Sequence, residues 1–212
     1  MQINNKSNLS FGTNIKVVSP RCFRRIANKM EKCADCEIIQ DFDITNSSVL
    51  GYRENINLGI TGSIRSCSAG VIAKKGKNAK LFWHIFDSLE NIEAFPILEK
   101  KLQGDNAILI GAKSAFFESV ELNKKFQEAL HKKSIPTTIL CDIAFRRQAF
   151  IAYTSKEDTL YLSVCHCDYP FKYVKSMKNL KKVFSTIKIS PKDNIEFIGF
   201  IKGLFLTKNI KF

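Results

Sequence analysis

The chain has 212 residues, with 33 lysines and arginines against 20 acidic residues, which gives a formal net charge of +13 at pH 7. Its hydrophobic content of 45% is ordinary for a globular protein and excludes global disorder. A chain of this length builds one sizeable core and is too short for two large domains. The longest apolar stretch, residues 195–206, is too short to span a bilayer and contains Glu196 and Lys202, so we expect no membrane span.

The cysteine content indicates reduced thiols. There are seven cysteines, an odd number, and the first residues lack the charged and apolar regions of a secretory signal peptide. We therefore expect a cytoplasmic protein, or one exported to a host cell by an injection system that needs no signal peptide. Cys33 and Cys36 have the spacing of a metal or redox pair, but the only similar pair, Cys165 and Cys167, lies more than half the chain away. We predict no metal and no cofactor.

Capping signals mark the predicted helices in chain order. Ser19 followed by Pro20 is typical of a helix N-cap and first helical position, which predicts an amphipathic helix to about residue 32. Ser88 caps a second helical pattern that runs to residue 103, and Pro96 is expected to split it into two pieces. A third helix is predicted over residues 118–133, where acidic residues come early and lysines late, as the helix dipole favours.

The predicted strands are runs rich in β-branched and aromatic residues. Residues 68–73 and 81–86 flank a segment rich in lysine, glycine and asparagine, whose turn chemistry predicts a hairpin. Further strands are predicted at 106–110, 137–141, 148–153 and 159–164. Together these elements predict an α/β fold of the α+β kind, a single domain with a mixed, largely antiparallel sheet flanked by helices.

Three segments are distinguished along the chain. Residues 1–54 form an N-terminal extension with one amphipathic helix, residues 55–165 form the core, and residues 166–212 form a basic C-terminal extension. That last segment holds ten lysines and three acidic residues, and a helix at 176–185 with strands at 195–206 would pack it on the core. Its charge predicts an acidic partner, such as a protein surface or lipid head groups, and no motif favours nucleic acid.

Thr61, Cys67 and His84 stand within 24 residues of one another. Six positions separate Thr61 from Cys67, so in an extended strand both side chains would point to one face, unless Gly62 and Ser63 bend the strand. The predicted hairpin would bring His84 close to Cys67. A lone buried cysteine or histidine is more often an inert core residue, so these residue types alone do not establish catalysis.

The chemistry of such a set is that of a nucleophilic site. A neighbouring imidazole activates a cysteine thiol, and the thiolate attacks a carboxamide carbon. Backbone N–H groups of a tight turn at Arg65, Ser66 and Cys67 would stabilise the oxyanion that forms. Thr61 would hold the ring of His84 in the tautomer that catalysis requires.

The segment from about residue 57 to residue 164 resembles the CheD family of chemoreceptor glutamine deamidases. Members of that family carry a threonine, then a Ser-Cys pair whose nucleophilic cysteine is six residues after it, then a histidine about seventeen residues further on. Thr61, Ser66 with Cys67, and His84 match that pattern. After the site, residues 107–117 are similar to the family's strand with a Gly-Ala-x-x-Phe element, and residues 118–133 to the helix that follows it. The chain departs from the family in having Arg65 where a glycine is usual.

The resemblance implies a hydrolase, a protein-glutamine deamidase or glutaminase, that forms a thioester on Cys67 and needs no cofactor. The same cysteine and histidine core is similar to that of bacterial toxins such as the cytotoxic necrotizing factors. The implied substrate is a chemoreceptor, or a host protein if the chain is an exported effector. A transglutaminase or thiol protease would use the same thioester. The alternative is a non-catalytic binding module of the same fold that docks on an acidic partner, which the departure at Arg65 supports.

Overall fold

The structure is a computed structural model that describes residues 12–39, 50–74, 78–111, 117–142, 147–166, 178 and 184–190. In these segments the helices are α1 (Pro20–Met30), α2 (Leu89–Glu99) and α3 (Phe117–Lys132). The strands are β1 (Asn14–Val17), β2 (Cys36–Ile39), β3 (Tyr52–Ile56), β4 (Leu58–Ile64), β5 (Ser68–Ala73), β6 (Ala79–Ile85), β7 (Asn106–Gly111), β8 (Thr137–Asp142), β9 (Arg147–Thr154), β10 (Thr159–His166) and β11 (Phe184–Ile189).

The strands form two sheets. One has five strands in the order β1-β10-β9-β4-β2, and the other has six in the order β11-β8-β7-β5-β6-β3. The pairs β1 with β10, β2 with β4, and β7 with β8 are parallel, and the remaining pairs are antiparallel. The predicted α+β fold with mixed, largely antiparallel pairing is therefore confirmed, and the structure divides its strands between two sheets.

The two sheets pack face to face around one apolar interior. Side chains from both sheets meet there, among them Ile151 and Leu160 of the five-stranded sheet and Val71, Phe82 and Ile110 of the six-stranded sheet. The outer faces are covered by helices: α2 and α3 pack on the six-stranded sheet, and α1 packs on the five-stranded sheet. This layering leaves the space between the sheets as the interior of the domain.

Local signals and the structure agree for several elements. Ser19 caps α1 with its side chain accepting a hydrogen bond from the Cys22 N–H at 3.3 Å. The predicted hairpin is formed by β5 and β6, whose register pairs Ala69 with His84. Its turn, residues 75–77, lies outside the described residues. None of the described helices has the length and apolar character needed to cross a membrane.

Two elements differ from the prediction. Pro96 lies inside α2 without splitting it, because Phe95 and Leu98 on either side are buried against the six-stranded sheet and hold that turn in place. Tertiary packing there outweighs the hydrogen bond that proline cannot donate. In the C-terminal extension a helix was predicted at 176–185; Lys178 is helical, but residues 184 and 185 belong to β11, which pairs antiparallel with β8. The strands predicted at 195–206 lie outside the described residues.

Candidate active site

Thr61 and His84 are polar residues in the apolar interior, and they come from opposite sheets. Thr61 lies on β4 and is 2% exposed, and His84 lies on β6 and is 0% exposed. The Thr61 Oγ1 atom lies 2.8 Å from His84 Nδ1, so the two side chains are hydrogen-bonded across the interior. The structure thus brings together two of the three residues that the sequence singled out for catalysis.

The direction of this hydrogen bond follows from the second contact of Thr61. Thr61 Oγ1 also donates to the backbone carbonyl of Ile39 at 2.9 Å. A carbonyl oxygen can only accept, and the threonine hydroxyl has a single hydrogen, so the hydroxyl oxygen must accept from His84 Nδ1. The imidazole therefore carries its hydrogen on Nδ1, and Nε2 holds the lone pair.

The Nε2 atom of His84 is buried and has no hydrogen-bond partner among the described residues. Burial lowers the pKa of His84 from 6.5 to about 4, since the interior disfavours the charged ring. The ring is therefore neutral at neutral pH. A neutral imidazole with its lone pair on an otherwise unpaired nitrogen is the form that accepts a proton in general base catalysis.

This lowered pKa predicts a pH-dependent stability. Because the folded chain binds the His84 proton less readily than the unfolded chain, the stabilisation is complete above about pH 6.5 and is lost as the pH falls towards 4. The full difference is worth about 3 kcal/mol in the free energy of unfolding. Urea denaturation at several pH values should show this loss in the wild type and not in His84→Gln, and parallel curves for the two proteins would contradict it.

Cys67 comes directly before β5 and is 5% exposed. Its side chain belongs to the apolar cluster between the sheets, as do those of Phe82 and Phe86, the residues two positions on either side of His84. Ala69 is the register partner of His84, and Cys67, two residues earlier and one residue before the ladder begins at Ser68, has its side chain on the same interior face. Residues in this diagonal relation are roughly 7–8 Å apart in a regular sheet, with their Cβ atoms somewhat closer, which is within reach of side-chain movements.

The path of the chain from Thr61 to Cys67 corrects the predicted geometry. The two residues do not share one extended strand, because β4 and β5 belong to different sheets. The register of β4 shifts between Thr61 and Ile64, where Ser63 has a positive φ of 59°, and the chain then bends at residues 65–67. Thr61 and Cys67 therefore face the same interior from opposite sheets.

The side-chain carboxylate of Asp87, which was not predicted to belong to the site, holds the bend at residues 65–67 in place. Ser66 Oγ donates to Asp87 Oδ1 at 2.8 Å. Ser119 Oγ, on α3, lies 2.7 Å from Asp87 Oδ2 and 2.7 Å from the Ser66 carbonyl oxygen. Asp87 stands three positions after His84, but no sequence pattern indicated that Ser119 would join it. These contacts tie the bend to the end of β6 and to the start of α3.

Arg65 occupies the outer side of the same bend. It is exposed, and its Nη2 atom lies 3.4 Å from Gln148 Oε1. The Nε2 atom of Gln148 donates in turn to Cys165 Sγ at 3.4 Å. The Arg65 side chain therefore extends towards solvent and Gln148, whereas the Cys67 side chain of the same bend is buried between the sheets.

The other candidate thiols differ from Cys67 in their surroundings. Burial and the neighbouring Cys33 raise the pKa of Cys36 to about 11, so this thiol stays protonated at neutral pH. A redox-active pair requires a lowered thiol pKa, and the pKa of Cys36 is shifted in the opposite direction. Cys165 is as buried as Cys67 but lies on β10 and has Gln148 as its neighbour.

Comparison with known proteins adds no relative. No protein-family model matches the chain, and no curated protein matches it. A function is therefore inferred from the geometry of the residues themselves and from the resemblance of their spacing.

Proposed function

We propose that this chain is a CheD-like protein-glutamine deamidase in which Cys67 attacks the side-chain carboxamide of a substrate glutamine. The observation that supports it most strongly is the hydrogen bond from His84 Nδ1 to Thr61 Oγ1, which leaves Nε2 as the basic nitrogen. That nitrogen belongs to a side chain on the same face of the hairpin as Cys67. A third group that fixes the tautomer of a histidine beside a nucleophile is the arrangement of catalytic triads.

The reaction proceeds in two halves. His84 Nε2 takes the thiol proton as the Cys67 sulfur forms a bond to the carboxamide carbon, and the carbonyl oxygen becomes an oxyanion. The protonated ring gives its proton to the departing nitrogen, so ammonia leaves and a thioester remains. His84 then takes a proton from water as the hydroxide adds to the thioester carbon. The carbon–sulfur bond breaks, the Cys67 thiolate takes that proton back from His84, and the new carboxyl group loses its own proton to give a glutamate side chain.

The oxyanion needs fixed donors near Cys67. Backbone N–H groups of the bend at residues 65–67 are the donors that adjoin the nucleophile in the chain, and the Asp87 contacts hold that bend in one conformation. Preorganised donors of this kind typically contribute about 3–4 kcal/mol of transition-state stabilisation. Backbone groups can act here whether the residue at the bend is glycine or Arg65.

The burial of Cys67 favours a side-chain amide over a peptide bond. With only 5% of Cys67 exposed, a substrate must reach the sulfur end-on. The carboxamide of glutamine is the end group of a narrow side chain with two methylene groups, so it can enter a deep site. A peptide bond is flanked by main chain on both sides and cannot enter end-on. Water is also the acceptor that enters such a site most easily, which favours deamidation over transamidation or proteolysis.

Thr61→Val is expected to slow deamidation about 10- to 100-fold, because the isosteric methyl group leaves His84 Nδ1 and the Ile39 carbonyl without their buried partner. Thr61→Ser keeps the hydroxyl and should stay close to the wild-type rate. Initial rates of ammonia release from one substrate measure both. If Thr61→Val released ammonia as fast as Thr61→Ser and the wild type, the Thr61 hydroxyl would have no role in the mechanism.

Asp87→Ala is expected to lower the deamidation rate about 10-fold by releasing Ser66 and the bend it holds. Alkylation of Cys67 by iodoacetamide forms no oxyanion, so its rate should be unchanged in the same variant. Ser119→Ala removes the contacts to Asp87 Oδ2 and to the Ser66 carbonyl oxygen but keeps the hydrogen bond from Ser66 to Asp87, so it should have a smaller effect. A parallel loss of alkylation and deamidation would mean that Asp87 supports the fold rather than the oxyanion donors.

The substrate is a protein, either a chemoreceptor, as in the resembling family, or a host protein if the chain is an exported effector. The excess of lysine in residues 166–212 would attract an acidic surface on that protein. The test is to incubate cell extracts with wild type or Cys67→Ala and to search by mass spectrometry for glutamine-to-glutamate conversion. A gain of about 1 Da on a particular glutamine, present only with wild type, supports the proposal. Identical spectra with properly folded proteins would favour the non-catalytic binding module instead.

A further inference from the structure

A cavity of about 680 Å³ lies between helix α1 and the outer face of the five-stranded sheet. Its walls are largely apolar, and they include Phe23 and Ala27 of α1, Ile60 of β4 and Phe150 of β9. The rings of Phe23 and Phe150 lie 6.0 Å apart between centroids and are tilted by 51°. A volume of this size falls within the range of small-molecule sites, roughly 300–1,000 Å³.

Ser163 of β10 gives the cavity a polar group at its buried end. The side chain lines the cavity, is 1% exposed, and its Oγ atom has no hydrogen-bond partner in the part of the chain that the structure describes. Along β10, Leu162 and Val164 point into the space between the sheets, so Ser163 points the other way, towards α1. A buried hydroxyl without a partner is costly, so this position favours a ligand that hydrogen-bonds to it.

The mouth of the cavity carries no net charge. Arg24 and Glu31 of α1 both contribute to the lining, one positive and one negative. The further polar groups there are the side chains of Asn28 and Ser63. A charged ligand would meet one attractive and one repulsive group, so a neutral ligand fits best.

The floor of the cavity is shaped by Gly62. A Cβ atom at this position would come within 2.2 Å of the Phe150 ring, so only glycine lets that ring lie against β4. Thr61 and Ser63 on either side also line the cavity. The cavity therefore lies behind the segment of β4 that carries Thr61, on the side of the sheet away from His84.

We propose that this cavity binds a neutral aromatic small molecule whose single hydrogen-bonding group pairs with Ser163 Oγ. The apolar rings of Phe23 and Phe150 contact the aromatic body, and the buried hydroxyl fixes its orientation. This binding does not depend on the proposed deamidation, because no residue that reacts with substrate is required for it.

The test uses N-phenyl-1-naphthylamine, a neutral probe with one N–H group whose fluorescence rises in apolar surroundings. The full chain should bind it saturably at one molecule per chain. Ser163→Ala should weaken binding about five- to tenfold, the loss expected for one hydrogen bond. Its thermal unfolding midpoint should stay the same or rise, because the hydroxyl has no partner to lose. Ser68→Ala, which removes a buried serine of the six-stranded sheet that accepts from Trp83, should leave probe binding unchanged.

A second variant tests the cavity itself. Ala27→Leu adds a larger side chain to the wall while keeping a good helix former on α1, and it should abolish the fluorescence increase. Circular dichroism checks that this variant is folded. The proposal is overturned if the wild type shows no saturable binding, or if Ser163→Ala binds the probe as tightly as the wild type does. A lower midpoint in Ser163→Ala with unchanged probe affinity would show that the hydroxyl serves the fold alone.

Discussion

Cys67→Ala is expected to abolish glutamine deamidation, with the rate falling by a factor of about 10⁴ or more, because the variant has no atom that can form the thioester. The measurement is the mass gain on the substrate glutamine together with the ammonia released. Alanine removes only the sulfur atom from this buried, apolar site, so the variant should fold. Its circular dichroism spectrum should match that of the wild type.

The matched control for this loss is Cys165→Ala. Cys165 has the same 5% exposure as Cys67, but it lies on β10, beside Gln148. Removing it should leave the deamidation rate near that of the wild type. If both variants lose the activity equally, the loss would come from damage to the core, and Cys67 would not be the nucleophile.

His84→Gln is expected to lower the deamidation rate by about 10²- to 10⁴-fold, the usual contribution of a positioned general acid and base. Glutamine has a similar size and can still contact Thr61, but it cannot accept the thiol proton or return it to ammonia. The burial that lowers the pKa of His84 to about 4 keeps the wild-type ring in its basic form above that pH. The loss in the variant should therefore persist across the neutral range.

His131→Gln is the control for this second substitution. His131 lies in the last turn of α3, where basic residues complement the helix dipole. Its replacement should leave the rate unchanged. A wild-type rate in His84→Gln would contradict the assignment of His84 as the base, whatever the result for Cys67.

Signals that act over a few residues were readable in the sequence. The Ser19 cap and the β5–β6 hairpin depend on local turn chemistry. The pairing of Thr61 with His84 spans 23 positions and was expected only from the resemblance of their spacing to that of the CheD family. A bend at Gly62 and Ser63 could be foreseen, but the crossing of the chain between two sheets could not, because no composition rule places the non-glycine residue Ser63 at positive φ. The even spacing of Thr61 and Cys67 suggested one strand, whereas the structure uses two.

Contacts between distant segments were the other features that could not be predicted from the sequence. Ser119 reaches Ser66 and Asp87 from 53 and 32 positions away, and a single sequence carries no signal for such a meeting. The continuous helix α2 has the same cause, since the burial of Phe95 and Leu98 that holds Pro96 in place is a tertiary effect. Packing thus decided the features that propensity and spacing left open.

The rate at which iodoacetamide modifies Cys67 at pH 6 shows whether this thiol is an activated nucleophile. This reagent is itself a small carboxamide, and at that pH an ordinary thiol is under about 1% thiolate, so unassisted cysteines react slowly. Peptide mapping by mass spectrometry would follow Cys67 and the equally buried Cys165 in the same sample. We expect Cys67 to be modified at least about tenfold faster than Cys165, and His84→Gln to remove that difference. Equal and slow modification of both cysteines in the wild type would contradict a nucleophilic site.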